Sequence, residues 1–146
     1  MAGYYWLPWQ PGQQLPPRAV EGGVDSDGST IYVGRAYHEG DLIPAKVIPN
    51  RNQCYLAYGG LEVCLAACEV LCQQSFIWVP CSGGIVPDGA VVGGHTADGE
   101  TLYIGRVYHE GSHTVGKVHP SHNTCYIPFG GQECGHDCYE VLALQN

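Results

Sequence analysis

Thr30-Ile31-Tyr32-Val33-Gly34-Arg35-Ala36-Tyr37-His38-Glu39-Gly40 returns as Thr101-Leu102-Tyr103-Ile104-Gly105-Arg106-Val107-Tyr108-His109-Glu110-Gly111. The spacing, Tyr32 to Tyr103, is 71 residues. It holds without a gap from Ala19 and Ala90 to Leu71 and Leu142, with about half of the aligned positions identical. The chain is one unit written twice. A residue kept in both copies answers a need of the unit, and one kept in a single copy answers a need of that copy. The repeated stretch is rich in β-branched and aromatic residues and is bounded by turn formers, so it reads as a strand.

Other landmarks recur around it. Trp6-Leu7-Pro8 matches Trp78-Val79-Pro80, and Gly22-Gly23 matches Gly93-Gly94. Asp27-Gly28 and Asp98-Gly99 are hairpin dipeptides, because glycine tolerates positive φ. A short strand is expected around Lys46 and Lys117. Another runs from Cys54-Tyr55 and Cys125-Tyr126 to the double glycines Gly59-Gly60 and Gly130-Gly131. Leu61 to Gln73 has helical propensity, with cysteines at Cys64, Cys68 and Cys72, but its counterpart contains Gly135 and Asp137 and reads poorly as helix. Two copies of one unit share a fold, so both ends are assigned to strand. A unit of this size buries little surface alone. The expected fold is all-β. Two tandem antiparallel repeats, residues 1–74 and 75–146, interlock about a pseudo-two-fold axis into one compact unit.

The 146 residues carry a formal net charge of −8, with 21 glycines and 10 prolines. No basic stripe exists to meet phosphates, so nucleic acid and anionic membrane surfaces are disfavoured as partners. No apolar run approaches the ~20 residues needed to span a bilayer. The N-terminal stretch has no positive segment before Pro8 and does not read as a signal peptide, which predicts a cytosolic protein or one released by an unconventional route. Eight cysteines in that setting are expected to be mainly thiols.

Several motifs invite a chemical reading. Asp25-Ser26-Asp27-Gly28 resembles the start of a calcium loop, but Ala36 stands where that loop needs its last carboxylate, so a hairpin turn is the better reading. Cys134-Gly135-His136-Asp137-Cys138 offers zinc-type ligands whose second pair would have to come from elsewhere, such as Cys64 and Cys68; a loop with incidental thiols is favoured. Six of the seven histidines lie in the second unit. No hydrolase, phosphate-loop or zinc-protease signature is present, and catalysis is not expected.

Lysine occurs only at Lys46 and Lys117, which are equivalent positions in Lys-Val-x-Pro segments. An ammonium donates three hydrogen bonds and a carboxylate only accepts, so the two together suit vicinal sugar hydroxyls. Tyr and Trp can stack on the apolar face of a pyranose. The competing reading is a structural salt bridge from each lysine to a kept glutamate: Glu39, Glu62 or Glu69, and Glu110, Glu133 or Glu140. Residue chemistry leaves both open.

The motifs Gly-Gly-x-(Asp/Thr)-x-Asp-Gly, Tyr-(Val/Ile)-Gly-Arg-x-Tyr-His-Glu-Gly, Lys-Val-x-Pro, Tyr-x-x-x-Gly-Gly-x-Glu and Glu-Val-Leu occur in this order, twice. Together they resemble the DM-nine repeat family of invertebrates and natterin-like proteins, over nearly the whole chain. The resemblance implies an all-β protein of two intertwined repeats. It also implies a mannose-binding lectin of innate immunity, pathogen recognition or stress response that needs no metal or other cofactor and forms a homodimer. The family's sugar-holding Asp and Lys correspond to Asp25 and Lys46. The second copy keeps Lys117 but has Thr96 at the Asp position, so a weaker second site is expected, with His95 or Asp98 as substitutes. The alternative is a cytosolic zinc or redox protein built on the cysteines and histidines.

Overall fold

The computed structural model describes residues 3–73 and 75–145. The expected boundary between repeats meets at Gln74, which lies outside the described residues, as do the chain ends Met1, Ala2 and Asn146. The first repeat supplies β1 (Tyr5–Trp9), β2 (Glu21–Val24), β3 (Thr30–His38), β4 (Asp41–Ile48), β5 (Gln53–Tyr58), β6 (Leu61–Cys64) and β7 (Cys68–Cys72). The second supplies β8 (Phe76–Ser82), β9 (Val92–His95), β10 (Thr101–His109), β11 (Ser112–His119), β12 (Thr124–Phe129), β13 (Gln132–His136) and β14 (Cys138–Leu144). The repeated stretch is β3 and its twin β10. The segment with helical propensity is strand: β6 and β7, with Cys68, Val70 and Cys72 turned into the core. Burying those side chains outweighs a helix propensity of a few tenths of a kcal/mol per residue.

The strand holding Lys46 is longer than its sequence suggests, at eight residues with Pro44 inside it. Pro44 falls between Leu42, which pairs with β9, and Lys46, which pairs with β5. The proline's missing N–H sits where one partner hands over to the next, so it interrupts no ladder. After β4 and β11 the chain turns through single 3-10 turns, Pro49–Arg51 and Pro120–His122, each ended by an asparagine in the left-handed region (Asn52, φ 52°; Asn123, φ 58°). Proline at the first position and asparagine at the last suit those sites.

The repeats are joined by strand pairing rather than by apposition. Val24 of β2 pairs with His113 of β11, and its symmetry mate pairs His95 of β9 with Leu42 of β4. Leu61 of β6 pairs with Gln132 of β13, its own equivalent, which marks the pseudo-two-fold axis. Strands β4, β5, β6, β13, β12, β11, β10 and β9 thus form a closed eight-strand barrel, sealed by the β9–β4 pairing. The main core cluster mixes Ile31, Val33, Ile48 and Leu71 with Val91, Ile104, Val115 and Leu142, all fully buried.

A half chain therefore has no barrel to close and no partner for its core face. Each stranded Val, Ile or Leu forfeits roughly 1.5–3 kcal/mol of burial. Residues 1–74 and 75–146 expressed separately are expected to melt without a cooperative transition, and mixing them is expected to restore one. A cooperative calorimetric transition in either half alone would count against interlocking.

Candidate functional site

Asp25 lies directly after β2 in a tight turn. Its amide donates to Ser29 O at 2.8 Å, and Gly28 N donates back to Asp25 O at 2.9 Å. Its carboxylate accepts from the Ser26 amide at 2.8 Å through Oδ1 and from Arg51 Nη2 through Oδ2. Arg51 spans to Asp27 as well, with Nη1 at 2.8 Å from Oδ2. Burial alone would push the Asp25 carboxyl up. The hydrogen bonds from Arg51 and Ser26, with the nearby Ser112 hydroxyl and Lys46 ammonium, outweigh it and hold the group below its ordinary value. Asp25 is therefore ionised at neutral pH. The Ser112 hydroxyl is fully buried and makes no well-formed hydrogen bond, so its help to Asp25 is through proximity.

Lys46 stands on β4 and is 3% exposed. Its ammonium donates to Pro128 O at 2.6 Å and to Glu62 Oε2 at 3.0 Å. Two of its three hydrogens are thus taken and one remains. Tyr55 and Phe129 flank it, each with its ring centroid 5.4 Å from Nζ. The other Glu62 oxygen, Oε1, accepts from Gly131 N at 2.9 Å, tying the lysine to a hairpin of the opposite repeat. The second copy repeats this with Lys117 and Glu133 Oε2 at 3.1 Å, Glu133 Oε1 and Gly60 N at 2.9 Å, and the rings of Tyr58 and Tyr126. The kept glutamate that pairs with each lysine is thus Glu62 or Glu133.

Asp25 and Lys46 line one cavity of about 260 Å³ together with Ser26, Arg51, Tyr55, Glu62, Phe129 and Gly130. Two carboxylates and two cations face it, a balanced set. The last two wall residues come from the other repeat. The matching cavity, about 440 Å³, contains Thr96 but not Lys117 in its wall. The Thr96 hydroxyl already accepts from Glu100 N at 3.1 Å, and His122 replaces Arg51. Glu39, Asp41, Asp98 and Glu100 make this cavity strongly acidic. Glu100 is held below its ordinary value by the Ser121 hydroxyl, against an opposing push from burial, and further by the Ser121 amide and His119. Of the four residues singled out in the sequence, Asp25 and Lys46 share one cavity wall, whereas Thr96 lines the second cavity and Lys117 does not.

Sequence reasoning missed Arg51, Ser26 and Phe129 and left Glu62 as one of three choices. Arg51 has no kept twin, and nothing in sequence places Phe129 against Lys46. The eight cysteines all stand as thiols, and among the described residues no three metal-ligating side chains converge.

Three half-buried histidines set an acid limit. His113, His119 and His136 all titrate below 6.5, burial being the largest cause in each. Arg106, His122 and His109 respectively add repulsion, while Glu140, Glu100 and Asp137 partly offset it. A depressed folded pKa means the unfolded chain takes up protons first. Stability is expected to fall as pH drops below 6.5, and again through the carboxylate range as Asp25, Glu100 and Glu140, all lowered, are protonated. Melting temperatures from pH 7.5 to 4 should show both declines, and a flat profile down to pH 5 would contradict the histidine step.

Fold and site together define a class: all-β proteins of two interlocked repeats in which each polar cavity draws walls from both copies. The DM9 repeat model matches residues 25–136, and the chain belongs to the DM9 repeat family. Natterin-3 from Thalassophryne nattereri is 26% identical over 145 residues, a stretch that is 97% of this chain and 36% of that protein. The chain thus spans little more than a third of that relative's length. The nematode sperm cell motility protein MFP2B has a similar fold, with a TM-score of 0.73 at 14% identity, covering 97% of this chain and 46% of that one.

Proposed function

We propose that the chain is a carbohydrate-binding protein, a lectin that takes mannose or mannose-bearing glycans without metal, and that it binds rather than catalyses. The observation that carries this reading is the convergence of Asp25 and Lys46 on one cavity beside Tyr55 and Phe129. An ionised carboxylate accepts from one sugar hydroxyl while the remaining ammonium hydrogen donates to its neighbour. The aromatic rings offer an apolar face for the pyranose. Membership of a family with lectin-like members supports the same reading. The second cavity, with a neutral and already bonded Thr96, binds more weakly. Recognition of microbial or stress-exposed glycans suits such a protein, and homodimerisation adds avidity.

Calorimetric titration with mannose, galactose and glucose, with and without chelator, tests this. Mannose binding that persists in chelator is expected. Absence of binding to all three sugars overturns the reading, and binding lost in chelator favours the zinc alternative.

A further inference from the structure

A second pair of matched clefts lies outside the two cavities. One, of about 320 Å³, is bordered by Arg35, Tyr37 and Glu69. Its twin, of about 510 Å³, is bordered by Arg106, Tyr108 and Glu140. The two are built alike. Each guanidinium lies 4.1 Å from the ring centroid of a tryptophan, Trp6 or Trp78, and each Nε donates to its glutamate Oε1 at 2.9 Å. Tyr37 is 69% exposed and Tyr108 77% exposed. An exposed tyrosine contributes little to the core, and surface positions are where the two copies are freest to drift apart. Keeping Trp, Arg, Tyr and Glu together in both is the mark of a shared use.

We propose that these clefts are additional glycan-contact sites, each taking a further pyranose of a mannose-bearing oligosaccharide, with the first repeat's the stronger. The tyrosine ring offers a face for the sugar's C–H patch. The Arg–Glu pair repeats the donor-plus-acceptor logic of Lys46 and Asp25: Nε and Oε1 bond each other, and the terminal Nη donors and Oε2 meet vicinal hydroxyls. The tryptophan holds the guanidinium in place beforehand, which limits the ordering cost of binding. The guanidinium in turn covers one tryptophan face, so the cleft lacks the paired open aromatic walls that a proline-rich peptide needs. The second cleft is more occupied by its own residues. Tyr108 stacks on His113 at 3.8 Å, His113 bonds Glu140 Oε1 at 2.8 Å, and Arg106 Nη1 donates to Gly22 O at 3.1 Å. In the first copy Leu42 stands in place of His113.

The choice of sugar rests on the reading under Proposed function, but the two fail separately. The test is amide chemical-shift mapping with α-linked mannotriose on wild type, Asp25→Ala, Tyr37→Ala and Tyr37→Phe. Shifts at Arg35, Tyr37 and Glu69 are expected in wild type and in Asp25→Ala. Tyr37→Ala should remove them and weaken trisaccharide affinity about three- to tenfold while leaving mannose affinity unchanged. Tyr37→Phe, which keeps the ring, should retain them. Silence around Tyr37 in wild type, or shifts that persist in Tyr37→Ala, overturns the proposal. Response at Tyr37 with no response around Asp25 leaves this proposal standing and removes the Asp25–Lys46 site.

Discussion

Asp25→Ala is expected to lower mannose affinity by on the order of tenfold to a hundredfold while the barrel stays folded. Losing one partner of a charge-assisted hydrogen bond costs roughly 1.5–3 kcal/mol, and each 1.4 kcal/mol is about tenfold in affinity. The fold tolerates the change because Arg51 keeps its bond to Asp27 and the turn keeps its backbone hydrogen bonds. Lys46 does not offer so clean a test. Its ammonium is buried against Glu62, and removing one partner of a buried pair costs about 3–5 kcal/mol. Lys46→Ala alone therefore mixes lost binding with lost stability. Lys46→Met combined with Glu62→Gln removes both charges, and Glu62→Gln alone reports what the pair contributes to folding. Thr96→Ala should change little. Calorimetry with a parallel thermal melt decides the matter: wild-type affinity in a folded Asp25→Ala protein would remove this site from consideration.

Gly23→Ala and Gly94→Ala are expected to be the most damaging single substitutions to the fold. A Cβ on Gly23 would lie 1.8 Å from the carbonyl oxygen of His113, and one on Gly94 would lie 1.9 Å from that of Leu42. Both obstacles are backbone atoms of the opposite repeat, at the two symmetry-related junctions that close the sheet. No side chain can swing aside, so a strand must move. Overpacking of this kind costs about 3 kcal/mol or more, against a total stability of about 5–15 kcal/mol. A melting temperature lower by on the order of 10 °C is expected for each, and the double variant should not accumulate as soluble protein. Gly28→Ala is the control: its φ of 87° makes a side chain unfavourable, but nothing lies within 4 Å. It should cost only about 1 kcal/mol. A Gly23→Ala protein that melts with wild type would mean that the repeats do not cross as tightly as described.

Much of this architecture was legible because the chain repeats itself. The 71-residue spacing, the β-branched strands and the Asp-Gly and Gly-Gly turns fix a doubled antiparallel unit, since these signals are local. The two lysines stood out for the same reason: identical placement in both copies. Helical propensity over Leu61–Gln73 misleads locally, and only the comparison of copies corrects it.

The walls of the site were a different matter. Strand pairing contacts are set by which segments cross, and a sequence does not print the crossing. Glu62 reaches Gly131, Phe129 reaches Lys46, and His113 meets Val24 only after the repeats have threaded through each other. The loss of Asp25's equivalent was visible as Thr96, but the absence of Lys117 from the second cavity's wall was not, because that wall is assembled from both repeats. The sequence by itself determined that there are two copies, what their strands are, and that each carries one lysine. The tertiary structure alone decided that those lysines are buried in ion pairs and that a single copy brings its lysine into a shared wall with a carboxylate from the preceding turn. Local chain preferences act over a few residues, whereas a cavity is shaped by packing between segments far apart in the chain.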